Sequence, residues 1–234
     1  MRQIFFDTET TGLDADKGDR IIEIGCVEMV DRRLTGNTLH LYLNPERSSH
    51  PDAFKVHGLS DEFLADKPRF ADVVDQLVAF VEGAELIIHN AAFDLTFVNA
   101  ELRRLGRGLV TDVVAKVCDS LLMAREMFPG KANSLDALCR RLEVDNSNRA
   151  LHGALLDARL LAEVYIRMTR GQGSLVIDSH DSSRAQQQLA PIDLRQFDLP
   201  VLAARADEVA AHEAVLNDLD KASGGKTVWR SVDA

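Results

Sequence analysis

Three runs of apolar and β-branched residues follow one another with no helical stretch between them, and this order constrains the fold more than any other feature of the chain. Residues 2–6 (RQIFF) read as a short buried strand that stops at Asp7. Residues 20–30 (RIIEIGCVEMV) and 33–43 (RLTGNTLHLYL) are the next two, with the polar pair Asp31–Arg32 between them as in a hairpin. The pattern then changes. Pro45, Pro51 and Pro68 mark 44–69 as loop with room for one short helix. Val73, Val74, Leu77, Phe80 and Val81 fall at helical spacing within 70–82. A strand at 85–89 precedes a helix near 92–105 that ends at Gly106. A strand at 113–118 precedes a helix that runs to Phe128 and is stopped by Pro129–Gly130. Asn133 or Ser134 can cap a short helix through Arg141, and a long helix spans about 153–170, ended by Gly171. A meander followed by alternating strands and helices predicts an α/β domain with a mixed sheet, antiparallel on one side and parallel on the other.

The composition changes at Gly171. Residues 171–190 are rich in Gly, Ser and Gln, as flexible linkers are. Residues 191–234 regain apolar content, and Val209, His212, Leu216 and Leu219 share one face of a helix. A segment that short builds little core alone, which predicts a docking tail. The division expected is a domain over 1–171, a linker over 172–190 and a tail over 191–234.

No apolar run approaches the roughly 18 residues a membrane span needs. Cys26, Cys118 and Cys139 lie far apart with no CxxC spacing. That excludes a zinc ribbon and a disulfide framework, and suits a reducing cytoplasm. The formal charge is -10, which taken as a total argues against a polyanionic partner. The distribution is uneven: residues 1–100 carry 18 acids and 9 bases, whereas 101–170 carry 9 acids and 12 bases.

Five residues have the makings of a metal-dependent hydrolytic site. Asp7 and Glu9 stand at alternate positions at a strand end, so both carboxylates face one side. Hard oxygen ligands of this kind suit magnesium or manganese. Asp94 follows the strand at 85–89, at the strand-to-helix junction where open α/β sheets bind ligands. His152 and Asp157 would not share a face of one continuous helix, being about 140° apart in projection. Gly153 permits a break that puts His152 on a loop and Asp157 one turn into the helix. Each residue alone has an ordinary explanation, as a cap, a solvated acid or a core histidine. GGKT at 224–227 is no phosphate loop, because Asp220 stands where the pattern needs Gly.

In the order DxE, D, HxxxxD these residues carry more weight. The chain resembles the DEDDh family of 3′–5′ exonucleases, whose three motifs match as DTETTG, HNAAFD and HGALLD. The resemblance implies a ribonuclease-H-like fold, a mixed five-stranded sheet flanked by helices. It implies that Asp7, Glu9, Asp94 and Asp157 bind two divalent ions, Mg2+ or Mn2+, with His152 as general base. Over essentially its whole length the chain also looks like the family of epsilon-type proofreading subunits of bacterial DNA polymerase III. RRLTGN, VHGLSDEFL, NSLDALC, DNSNR, LHGALLDA and EVAAHEAVL carry this likeness. It implies a replisome protein of the bacterial cytoplasm that trims single-stranded 3′ ends of DNA to nucleoside monophosphates.

The same likeness implies partners. The tail would bind the polymerase alpha subunit, and QGSLVI at 172–177 would bind the sliding clamp through Gln172, Leu175 and Ile177. Ile177 stands where that motif more usually has an aromatic. A small theta-like subunit is a further possible partner. His57 in VHGL and Asn90 in HNAAFD are candidates to touch the terminal nucleotide beside Asp7, Glu9 and Asp157, with a structural loop role as the alternative for each. An RNA exonuclease is the second reading in the same fold, and the linker and tail weigh against it. A non-catalytic tether between polymerase and clamp is a third, against which the full set of acids weighs.

Overall fold

The computed structural model describes residues 1–147, 149, 151–170, 203–225 and 229. The chain divides into two units between Ile177 and Asp178. The first is built on one five-stranded sheet. In chain order its strands are β1 (Arg2–Thr10), β2 (Ile21–Val30), β3 (Arg33–Tyr42), β4 (Glu85–Ile88) and β5 (Lys116–Asp119), and their order across the sheet is β3-β2-β1-β4-β5. β1 pairs antiparallel with β2, and β2 with β3, whereas β1–β4 and β4–β5 are parallel. This is the mixed meander expected from the order of the segments. Asp31 and Arg32 make the hairpin turn, at φ 47° and 63°, the pair of positive φ values that a two-residue type I′ turn demands.

Helices cover both faces: α1 (Pro51–His57), α2 (Asp61–Leu64), α3 (Phe70–Val81), α4 (Ala91–Arg104), α5 (Ser120–Met127), α6 (Leu135–Arg141) and α7 (Ala154–Met168). The alternation of β1 decides which layer each residue joins. Ile4 and Phe6 pack with Val74, Leu77, Phe97 and Leu102 of α3 and α4. Phe5 points the other way, into a cluster with Leu138, Leu161 and Val164 of α6 and α7. By the same period of two, Thr8 faces the α3–α4 layer, and Asp7 and Glu9 face the α5–α7 layer.

Three expectations about boundaries change. β1 continues three residues past Asp7, because ladder pairing with β2 persists through Thr10 although the apolar run has ended. The strand expected at 113–118 is β5 from Lys116, preceded by a 3₁₀ turn at Val110–Asp112. Residues 44–69 hold two helices. Pro51 opens α1 and Gly58 closes it at φ 70°, while the Ser60 hydroxyl caps α2 by accepting from Phe63 N.

In the second unit, residues 206–223 form α8 (Ala206–Ser223), closed by Gly224 in the left-handed conformation. Val209, Val215 and Leu219 are exposed along it and Leu216 is buried. The linker at 172–190 and the clamp-motif residues Gln172, Leu175 and Ile177 lie outside the described residues.

Candidate active site

The sheet ends in a cleft of about 590 Å³ whose lining includes Asp7, Glu9, Asp94, His152 and Asp157. All five residues picked from the motifs therefore meet in one place, from three separate segments. Two of them come from β1. Asp94 comes from the first turn of α4, and its Oδ1 accepts a 2.7 Å hydrogen bond from the hydroxyl of Thr8. Thr8 faces the α4 side of the sheet, so the residue between the two strand acids holds the third acid.

Asp157 and His152 arrive with α7. The chain is extended at Gly153, at φ -149°, and the helix starts at Ala154. His152 thus sits on the loop and Asp157 one turn inside the helix, as the glycine suggested. The His152 amide donates to Val56 O at 3.0 Å, tying this loop to α1. One ligand atom each from Glu9, His152 and Asp157 lie within 4.8 Å of one another.

A glycine on the next strand makes this approach possible. Gly25 is the β2 partner of Asp7, and a Cβ built there would lie 2.2 Å from both Ala154 C and Leu155 N. Only a residue without a side chain lets the first turn of α7 lie directly on the sheet. That contact brings Asp157 over Asp7.

So many acids in so little water are unfavourable as anions. Burial, followed by repulsion from Asp94, Asp157 and Glu9, pushes the Asp7 carboxyl well above its ordinary range. Burial pushes Glu9 up to about 8. Burial likewise raises Asp94 to about 7, against the opposing hydrogen bond from Thr8. Such a cluster holds its charge only beside a cation.

One cation comes from the protein. Arg149 Nε donates to Asp157 Oδ1 at 2.6 Å, and its Nη2 donates to Asp157 Oδ2. Its Nη1 donates to Asp136 Oδ1 at the start of α6, and Nη2 lies 2.8 Å from His152 Nδ1. The Arg149 side chain is only 6% exposed. His152 Nδ1 also lies 3.3 Å from Asp157 Oδ2, and the hydrogen bond to that carboxylate lifts the imidazole above its ordinary value of 6.5.

The two candidates for nucleotide contact separate. Asn90 lines the cleft, in the left-handed conformation at φ 69° just before α4. Its backbone N–H and that of Ala91 donate to Asp119, which also caps α5. His57 is absent from the cleft lining and is buried at the end of α1. Its Nδ1 accepts from Leu59 N at 3.0 Å, and its Nε2 has no partner among the described residues. The reading of single motifs missed Arg149, Asp136 and Gly25. A glycine inside an otherwise apolar strand was the available signal for Gly25.

Comparison with known proteins agrees with this geometry. The family model described as "Exonuclease" matches residues 4–165. The chain is 53% identical over 238 residues to the DNA polymerase III subunit epsilon of Escherichia coli K12, covering 98% of each chain. It is 50% identical to the subunit of the same name from Pasteurella multocida, covering 97% of this chain and 93% of that one. Among solved structures it resembles exonuclease X in complex with 5′-overhanging duplex DNA. That match has a TM-score of 0.57 and 25% identity, and covers 74% of this chain and 93% of the other.

Proposed function

Because the chain belongs to the DNA polymerase III epsilon-subunit family, and through residues 4–165 to the exonucleases, we propose that its cleft is the proofreading centre of a bacterial replicase. It removes the 3′-terminal nucleotide of a DNA strand and releases it as a nucleoside monophosphate. The observation that carries this is the convergence of Asp7, Glu9, Asp94 and Asp157 with His152 in one cleft. The raised carboxyls of Asp7, Glu9 and Asp94 are what a site built around cations shows when protein alone surrounds it.

Four hard oxygen donors fit Mg2+ or Mn2+. Asp7 would be shared between two ions, Glu9 and Asp157 would complete one site, and Asp94 would serve the other. When bound, two such ions supply charge to the attacking and leaving oxygens of an in-line displacement. His152, half-exposed at the cleft, accepts the proton of the attacking water. The leaving group is the 3′ oxygen of the penultimate nucleotide. Thr8 keeps Asp94 aimed at the site, and Asn90 offers its side chain to the terminal nucleotide. His57 can join that contact only by turning out of its present burial.

A mismatched terminus unpairs at lower cost than a matched one, so selection for errors can come from fraying with little base reading. We assign residues 1–171 to the exonuclease domain, 172–190 to a linker with the clamp motif and 191–234 to a tail that docks on the polymerase alpha subunit. A theta-like subunit is a further candidate partner. No helix among the described residues is long and apolar enough to cross a membrane. The family likeness supports placement at a replisome in the bacterial cytoplasm.

The test is digestion of 3′-labelled single-stranded DNA with Mg2+ or Mn2+, with and without chelator, beside a matched RNA. Stepwise release of nucleoside monophosphates from DNA, abolished by chelator, is expected. Turnover that persists in chelator, or a preference for RNA, would overturn this reading.

A further inference from the structure

Three Arg and Lys side chains line the cleft, Arg125, Lys131 and Arg149, and one of them is committed. Arg149 is held by Asp157 and Asp136, and elsewhere Arg20 is paired with Glu101 and Arg107 with Asp75. Arg125 and Lys131 differ. Both line the catalytic cleft and both are exposed. Neither side chain has a hydrogen-bond or ion-pair partner among the described residues. Arg125 projects from α5, four residues after Leu121, so both lie on the one face of the helix that lines the cleft.

Lys131 is carried on a loop that other side chains hold in place. Gly130 turns the chain at φ 70°. Arg141 donates to Ala132 O at 2.8 Å and to Asn133 Oδ1 at 3.0 Å. Its guanidinium lies 4.8 Å from the centre of the Phe128 ring. Asn133 Nδ2 donates back to Phe128 O. Both flanks of Lys131 are thus tied down, and its own ammonium is left free in the cleft.

A DNA strand carries one phosphate per nucleotide. When the terminal phosphodiester reaches the carboxylates, the next phosphates follow into the same cleft, past acids that repel them. We propose that Arg125 and Lys131 form a phosphate-binding wall that holds the strand upstream of the nucleotide being removed. The ligand class is the polynucleotide backbone, recognised by charge and without regard to sequence. This rests on the exonuclease reading above. It also gives an acidic chain a local means of gripping a polyanion.

The experiment compares two substrates for the full chain in Mn2+. One is a 3′-labelled single-stranded oligothymidylate. The other is the p-nitrophenyl ester of thymidine 5′-monophosphate, which has the scissile bond and no upstream phosphate. Arg125→Gln with Lys131→Gln should raise KM for the oligonucleotide about tenfold and leave kcat within about twofold. Hydrolysis of the ester should be unchanged. The slope of log KM against log salt should fall by about 1.4, the loss of two phosphate contacts to a single strand. The charge-keeping pair Arg125→Lys with Lys131→Arg should retain the wild-type KM. An unchanged oligonucleotide KM in the glutamine variant overturns the proposal, and so does a parallel loss on the ester. If the wild-type chain cleaves neither substrate, the exonuclease reading itself fails.

Discussion

Arg149 donates to both carboxylate oxygens of Asp157, deep in the cleft. A guanidinium that satisfies this acid competes with any metal for the same two oxygens. The pair is well buried, so removing one member leaves a charge without compensation. Arg149→Met should therefore destabilise the chelated protein by about 3 kcal/mol, and Mn2+ should restore most of that loss. Urea unfolding with EDTA and with Mn2+ reads both numbers. An equal loss under the two conditions would show that Arg149 is ordinary packing.

The raised acids make a second prediction about stability. A carboxyl whose folded value exceeds its unfolded one binds more protons when folded, so its contribution is full at low pH and is lost as pH rises through the folded value. Glu9 rises from 4.5 to about 8 and Asp94 from 3.8 to about 7. Without metal, the melting temperature should fall between about pH 4 and pH 8, by about 5 °C or more. Mn2+ should flatten that slope, and Glu9→Gln should reduce it. A metal-free melting curve that is flat across this range would contradict the burial argument.

Catalysis should depend on pH in the opposite sense. His152 is a base only when neutral, and hydrogen bonding to Asp157 holds it above 6.5. The rate should rise with pH to a plateau, with its midpoint above 6.5. His152→Ala should lose this limb and about 10²–10⁴ in kcat. The measurement is a pH–rate profile of both proteins at saturating Mn2+. A wild-type limb retained in the variant would remove His152 from the reaction.

Gly25→Ala tests how α7 is seated. Its methyl would have to share space with the Ala154–Leu155 peptide, which strains the packing by about 1–3 kcal/mol. The larger effect should be on turnover, because a displacement of about 1 Å can cost about a hundredfold in rate. Thermal melts and kcat on single-stranded DNA should show a folded, slow enzyme. Wild-type kcat would mean that α7 is not held by this contact.

Much of the site could be read in the sequence because it depends on local rules. The period of a strand put Asp7 and Glu9 on one face, and Gly153 announced the break that separates His152 from Asp157. β1 was read four residues short because DTET is polar, and only its pairing with β2 shows that the strand goes on. Arg149 and Asp136 were invisible for a different reason. Their ion pair links an irregular loop to a separate helix, and no periodicity connects the two. His57 shows the reverse: the likeness proposed a nucleotide contact, and tertiary packing places the ring away from the cleft lining.

The assignment of neighbouring β1 residues to opposite layers has a consequence for when the four acids meet. Asp94 belongs to the layer that packs on Ile4 and Phe6, and Asp157 to the layer that packs on Phe5. The four acids come together only once both layers have closed over the sheet. α7, which brings Asp157, is the last helix among the described residues of this unit. A chain that ends before residue 154 has three of the four acids and lacks the helix that brings the fourth. The four acids are thus brought together late, only after the segment that carries α7 has been made.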